Sequence, residues 1–258
     1  MEMNRMGITG RCLVAVFAFS AVAVASASAT EVLFKLEKGS FPATFASEGG
    51  KSKLTTTAGS EIECQSVVGK GTIGSSTEGG GTTAHLGTAE VKFKGCRSIS
   101  PSAECKSHGA NAEEVVIPSG EFHLGLLVPG AEAEKPAILS LLPGASVSNP
   151  LGGSLTFKCS LASVEVKGDV VGKLEGPIEK FESETKIVFE QSGGVQKFKE
   201  FLLSLTSPEN ELMTGQHLTI KSTLFTTEEA EFAVTSTGTS KEFKNSAGES
   251  TKIGLVKG

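Results

Sequence analysis

The chain has 258 residues, a formal net charge of −5 and 15 Phe, but no Trp and no Tyr. That balance argues against a nucleic-acid partner, whose phosphates require a basic face. Asp169 is the sole aspartate, which excludes calcium loops built on closely spaced aspartates. The missing Trp and Tyr weaken both sugar-platform and protein hot-spot readings.

The N-terminus reads as an export signal. Arg5 and Arg11 precede an apolar run from Leu13 to Ala25 broken only by Ser20, and Ala27-Ser28-Ala29 is a small-x-small cleavage site. The run is shorter than the roughly 20 residues a membrane span needs. Residues 1–29 are therefore expected to be removed, leaving residues 30–258 without a membrane span. Removal takes away Glu2, Arg5 and Arg11, a net +1, so the remainder stands at −6 and keeps Arg97 as its single arginine. With one arginine, bidentate clamps on phosphate or carboxylate are disfavoured.

Strand signals come next along the chain. Val32, Phe34 and Leu36 alternate with charged neighbours, Phe41 to Phe45 repeats the period, and Gly49-Gly50 marks a turn. Leu54 to Thr57 is predicted to pair with the strand after it. In Glu61 to Ser66, Ile62 and Cys64 share one face while Glu61, Glu63 and Gln65 take the other, as in a half-buried strand. Gly69 to Gly74 matches G-x-G-x-x-G, but the Ser-Thr-Gly run after it cannot open a helix, so a glycine-bearing strand and loop are expected instead.

Ala89, Val91 and Phe93 alternate with Glu90, Lys92 and Lys94, and the strand ends at Gly95-Cys96. Val115 to Ile117 and Phe122 to Val128 flank Pro118-Ser119-Gly120, which reads as a hairpin. Ala137 to Leu142 fits a strand or a helical turn. Leu155, Phe157, Cys159 and Leu161 alternate, and Val164 to Val171 continues as strand or bends at Gly168. Ser192-Gly193-Gly194 signals another hairpin. Leu218 to Phe225 and Phe232 to Thr235 read as strands, Ser207 to Asn210 as a loop, and Ile253 to Val256 as an added edge strand.

No long helical period occurs after residue 29, and strands recur every 8–15 residues. The expected fold is all-β: an antiparallel sandwich or barrel stapled by two disulfides. Residues 30–258 form one secreted β domain, or divide near residues 180–210. Val67-Val68-Gly69-Lys70 and Val170-Val171-Gly172-Lys173 echo each other, which fits either a duplicated β unit or coincidence among common strand signals.

Four cysteines, Cys64, Cys96, Cys105 and Cys159, remain after cleavage, an even number suited to an oxidising compartment. Of three connectivities, Cys96–Cys105 closing a short loop and Cys64–Cys159 joining two strands are favoured. Cys105-x-x-His108 has metal-ligand spacing but lacks a second such pair, so no metal and no cofactor are expected. His85, His123 and His217 are solitary. Gly144 to Ser148 approaches a nucleophile elbow without its final glycine or its α/β setting. No catalytic residue is assigned.

The order Phe41-x-x-x-Phe45, Ile62-x-Cys64, Gly71-x-Ile73-Gly74, Val91-x-Phe93-x-Gly95-Cys96, Cys105, Gly125 and Phe157-x-Cys159 resembles a group of secreted, cysteine-bearing, β-rich proteins. They occur as multiple paralogues in high-GC soil bacteria and are uncharacterised. The similarity spans roughly Phe41 to Ile178. It implies export and a β fold, and it carries no site residue.

Three functional expectations result. The first is a non-enzymatic secreted or cell-envelope module that binds an extracellular or cell-wall partner or acts structurally, through loops such as Gly74 to Thr83 and Cys96 to Cys105. The second is an extracellular hydrolase, signalled by a pocket holding His123 or His217 beside a serine or two glutamates. The third is a protease inhibitor presenting the Cys96–Cys105 loop.

Overall fold

The computed structural model describes residues 32–74, 81–128, 135–176, 178–198, 200–203, 212–214, 218–222 and 226–257, with backbone alone at 128, 200, 212–214, 218–222 and 226–232. The signal segment, His217 and the Ser207 to Asn210 loop lie outside the described residues or side chains. In chain order the strands begin with β1 (Val32–Leu36), β2 (Ala43–Gly49), β3 (Ser52–Thr56), β4 (Glu61–Cys64) and β5 (Ser66–Ile73). Next come β6 (Thr83–Ala84), β7 (Leu86–Lys94), β8 (Arg97–Ser98), β9 (Ala103–Ser107) and β10 (Glu114–Val128). Then come β11 (Pro136–Leu141), β12 (Ser154–Cys159), β13 (Ala162–Lys167), β14 (Asp169–Glu175), β15 (Phe181–Glu182) and β16 (Thr185–Phe189). The last are β17 (Gln191–Ser192), β18 (Val195–Gln196), β19 (Glu200–Leu203), β20 (Leu212–Thr214), β21 (Leu218–Ser222), β22 (Thr226–Lys244) and β23 (Ile253–Lys257).

The fold is all-β, and its antiparallel pairings close a barrel of eight strands. The circuit runs β10–β11–β14–β16–β22–β2–β5–β7 and back to β10. A second circuit of shorter strands runs β12–β13–β21–β22–β3–β4–β8–β9 and back to β12. β22 belongs to both. Its residues up to Thr235 pair within the second ring and those from Ser236 pair within the barrel. Closure leaves no unpaired edge in either ring, which disposes of the exposed donors and acceptors of an open sheet.

The two circuits carry an internal repeat. From β2 the chain visits barrel, ring, ring, barrel, barrel, ring, ring, barrel, ending at β10; from β11 to the end of β22 it takes the same route. The echoing Val-Val-Gly-Lys segments fall on β5 and β14, which stand four steps apart in the eight-strand circuit. The structure therefore favours the duplicated-unit reading of that echo. The halves differ where β9 and β10 correspond to the single strand β22, and between β16 and β21, where the second half carries β17 to β20. There Phe198, Phe201 and Leu203 pack on Leu139, Leu141 and Val171 on the outer barrel wall.

Several expectations are corrected. Val115 to Val128 is not a hairpin: β10 runs straight through, with a register shift between Ile117 and Gly120 that absorbs Pro118 and Ser119 as a bulge. The tail strand β23 is not an edge, because β15 and β1 flank it in a small sheet ordered β15-β23-β1-β6. Gly168, at φ 105°, is the bend between β13 and β14. Gly193 and Gly194, both at positive φ, make the β17–β18 turn.

The favoured disulfide pairing is also overturned: the bonds are Cys64–Cys96 and Cys105–Cys159. The cause is register. The four cysteines form one row across adjacent strands β4, β8, β9 and β12, since β4 pairs with β8, Arg97 faces Glu104, and Cys105 faces Cys159. Between Cys96 and Cys105 the backbone is hydrogen-bonded, the Cys105 N–H donating to the Cys96 carbonyl at 2.9 Å. Such positions stand about 5.5 Å apart at Cα, whereas non-hydrogen-bonded positions stand about 4.5 Å apart. Both observed bridges have the narrow spacing, Cα–Cα 4.0 Å.

Non-reducing digestion and mass spectrometry are expected to yield Cys64–Cys96 and Cys105–Cys159 peptides, and a Cys96–Cys105 peptide would contradict this register. Replacing Cys64 and Cys96 together by serine should lower stability in urea by about 4 kcal/mol in the chain-entropy model.

Candidate functional site: an apolar chamber inside the barrel

Alternation along each barrel strand turns one set of side chains inward. On β7 these are Ala89, Val91 and Phe93, and the outward set is Glu90, Lys92 and Lys94. Val115, Ile117 and Phe122 of β10 face inward, as do Ile138 of β11, Val170 and Leu174 of β14, and Ile187 and Phe189 of β16. They do not meet in the middle. They surround a chamber of about 260 Å³ to which all eight barrel strands contribute. Phe45, Val91, Phe93, Ile117, Ile138 and Ile187 are only half-buried although they point into a closed barrel, and the chamber supplies the surface they leave uncovered.

Both ends are occupied by packed side chains. At one end the small sheet brings Phe34 and Ile253 against the chamber, within a core that includes Leu36, Phe41 and Leu255. Phe122 sits there edge-on to Phe34 and Phe45, with ring centroids 6.5 and 6.0 Å apart. At the other end Ile62, Leu155, Phe157 and Val166 of the second ring form the limit, backed by the two disulfides.

Close approach at two glycines lets the end rings lie flat on the wall. A Cβ on Gly71 would stand 2.5 Å from Phe45 Cζ, and one on Gly87 would stand 2.3 Å from Phe122 Cζ. The wall made by β22 is different. Between Val234 and Phe243, which also line the chamber, its inward residues are Ser236, Gly238 and Ser240, and a Cβ on Gly238 would meet nothing nearer than Ile187 Cγ2 at 3.5 Å. The free space exists because this wall is built of small residues.

Polarity within the chamber is confined to hydroxyls. Ser47, Ser240 and Thr185 stand opposite one another on β2, β22 and β16, and Ser140 and Ser236 lie elsewhere on the lining. Among the described residues Glu48 is the one charged residue on the lining, and its exposed carboxylate accepts a hydrogen bond from Lys241 Nζ at 2.5 Å. That bond is the main reason the Lys241 ammonium titrates above its ordinary range. Beyond Thr185, a cleft of about 10 Å³ lined by Lys180, Glu182 and Glu184 shares Phe34, Thr185 and Ile253 with the chamber. It marks the place where the chamber comes near the surface.

Outside, cross-strand Glu–Lys pairs cover the wall. Glu90 lies between Lys92 at 3.1 Å and Lys70 at 3.6 Å, and its carboxyl is held below the usual range chiefly by the hydrogen bond from Lys92. These exposed pairs add little net stability.

The sequence-derived candidates fall elsewhere. His123 is buried on the outer face of β10, hydrogen-bonded to Glu121, and does not line the chamber. His108 is exposed, and the Cys105 sulfur is bound to Cys159. Gly69 to Gly74 runs through β5. The hairpin between Cys96 and Cys105 exposes Ile99 at its tip, but each cysteine is tied to a strand outside that loop. The chamber itself had no sequence signal beyond the serines and the glycine of β22. No known protein family, curated protein or solved structure matches this chain.

A hollow interior has a measurable signature. Leu124→Ala, at a fully buried site, should cost about 2–5 kcal/mol. Ile138→Ala should cost about 1 kcal/mol or less, since its side chain already lacks neighbours on the chamber side. Equal losses in urea denaturation would mean that the interior is filled.

Proposed function

We propose that this protein is a non-enzymatic, exported binding module that holds a small apolar molecule within its barrel. The observation that carries the reading is the chamber of about 260 Å³, lined by apolar side chains from every barrel strand. Ligand sites are typically concave and apolar with a few placed polar groups, and small barrels hold single ligands in this way. A well-packed core leaves few voids larger than a water molecule, so a space of this size is a built feature.

Export is supported by the signal pattern of residues 1–29 and by two disulfides, which persist in oxidising compartments. Among the described residues no helix is long and apolar enough to cross a membrane. A cell-wall or extracellular partner remains part of the proposal, with the loops at the barrel ends as its contact surface. The chamber does not favour the hydrolase reading, because its described lining joins serine hydroxyls to neither a histidine nor a carboxylate pair.

An apolar cavity of about 150 Å³ admits benzene, so scaling by volume gives room for about 10 non-hydrogen atoms. Naphthalene is the matching probe. Isothermal titration should give one site with a Kd of about 1–100 µM and a negative heat-capacity change. Gly238→Leu, which extends a side chain into the free space, should weaken binding at least tenfold with the circular dichroism unchanged. Absence of binding to the parent protein would refute the reading.

A further inference from the structure

The hydroxyls of the chamber specify its ligand more narrowly, an inference that rests on the binding reading above. Ser236 is the informative residue. It is 7% exposed and lies on the chamber lining directly opposite Phe189. A hydroxyl on an otherwise apolar lining can donate to or accept from a molecule held in the chamber. Along the same wall Ser240 faces Ser47 on one side and Thr185 on the other. Directly opposite residues on one face have Cβ atoms about 4.5–5.5 Å apart, so one ligand oxygen can reach two of these hydroxyls.

What the lining lacks is equally specific. Among the described residues no ammonium or guanidinium lies on it, and its one carboxylate, Glu48, is turned to Lys241 at the surface. An ionised ligand would have to leave water for an interior with no counter-charge, a transfer whose cost is large compared with any hydrogen bond. A hydroxyl can donate to or accept from a neutral oxygen without that cost.

We infer that the chamber selects an uncharged lipophile of about 10 non-hydrogen atoms carrying a single hydrogen-bonding oxygen, such as an alcohol or ester, with Ser236 as the buried anchor. The apolar body lies against the Phe93, Ile117 and Ile138 wall and the oxygen against β22. Fatty-acid anions and alkylammonium ions of the same length are rejected.

The test compares nonanol, methyl octanoate and nonanoate with naphthalene, by isothermal titration of the full mature chain at pH 8. Nonanol and methyl octanoate should bind at least tenfold more tightly than nonanoate. Ser236→Ala should weaken nonanol about three- to tenfold and leave naphthalene unchanged, while Ser236→Thr, which keeps the hydroxyl, should retain nonanol affinity. If naphthalene binds but nonanoate equals nonanol, the inference is overturned and the chamber reading stands. The same holds if Ser236→Ala leaves nonanol binding unchanged. If naphthalene does not bind the parent protein, both fall.

Discussion

Hydrogen-bond closure through a single long strand is the constraint on which this architecture rests. β22 supplies one member to the barrel and one to the second ring, so neither circuit can close without it. Every barrel strand thereby has neighbours on both edges, and the backbone polar groups are satisfied without help from the interior. That independence allows the interior to be hollow. A sandwich or helix bundle held together by its core would lose stability with a void of this size, whereas here two of the three apolar clusters lie at the ends and a third on the outer wall.

The distribution of side-chain volume obeys the same constraint. On β7, β10 and β16 the inward residues are large: Phe93, Phe122, Ile187, Phe189. On β22 the stretch between Val234 and Phe243 presents Ser236, Gly238 and Ser240. The abundance of Phe without Tyr or Trp fits the same picture, since a ring facing an apolar chamber is cheapest without a polar atom to satisfy. Serine on the opposite wall adds a donor and acceptor that an apolar small residue would not. Alanine would have given the same space without a hydroxyl, so this wall is polar as well as small.

The fold class was legible because alternation reports faces: Ile62 and Cys64 against Glu61 and Glu63, or Val91 and Phe93 against Glu90 and Lys92, lie as their pattern requires. Alternation cannot report what fills the space beyond an inward face, so a hollow and a packed barrel look alike in sequence. β22 was read only at Phe232 to Thr235, because most of its other residues are Ser, Thr, Gly and Glu, which signal turns and solvent as readily as strand. Pro118 and Gly120 looked like a turn because the bulge they form depends on pairing with a separate strand, β7. The disulfide pairing failed for a similar reason. Nearness in sequence placed Cys96 beside Cys105, which is correct, but only the ladder shows that this is the wide, hydrogen-bonded position.

The two halves of the repeat differ in how they are cross-linked. Both bridges fall within four consecutive strands of the second ring, β4, β8, β9 and β12. They lock one end of the barrel and join the first half to the second across β9 and β12. The equivalent junction of the second half, after β16, has no cysteine and instead sends the chain out to cover the outer wall before it returns as β21. The wall formed by β16, β22 and β2 carries no disulfide and is held by ladder hydrogen bonds, surface ion pairs and apolar packing such as Phe45 on Phe243. It is also the wall that carries the small side chains, the Ser47, Ser240 and Thr185 row, and the cleft beside Glu182 and Glu184. Covalent cross-links lie at one end of the barrel, while the β16, β22 and β2 wall relies on ladder hydrogen bonds and packing, so the staples and the small-residue wall of the chamber fall on different parts of the barrel.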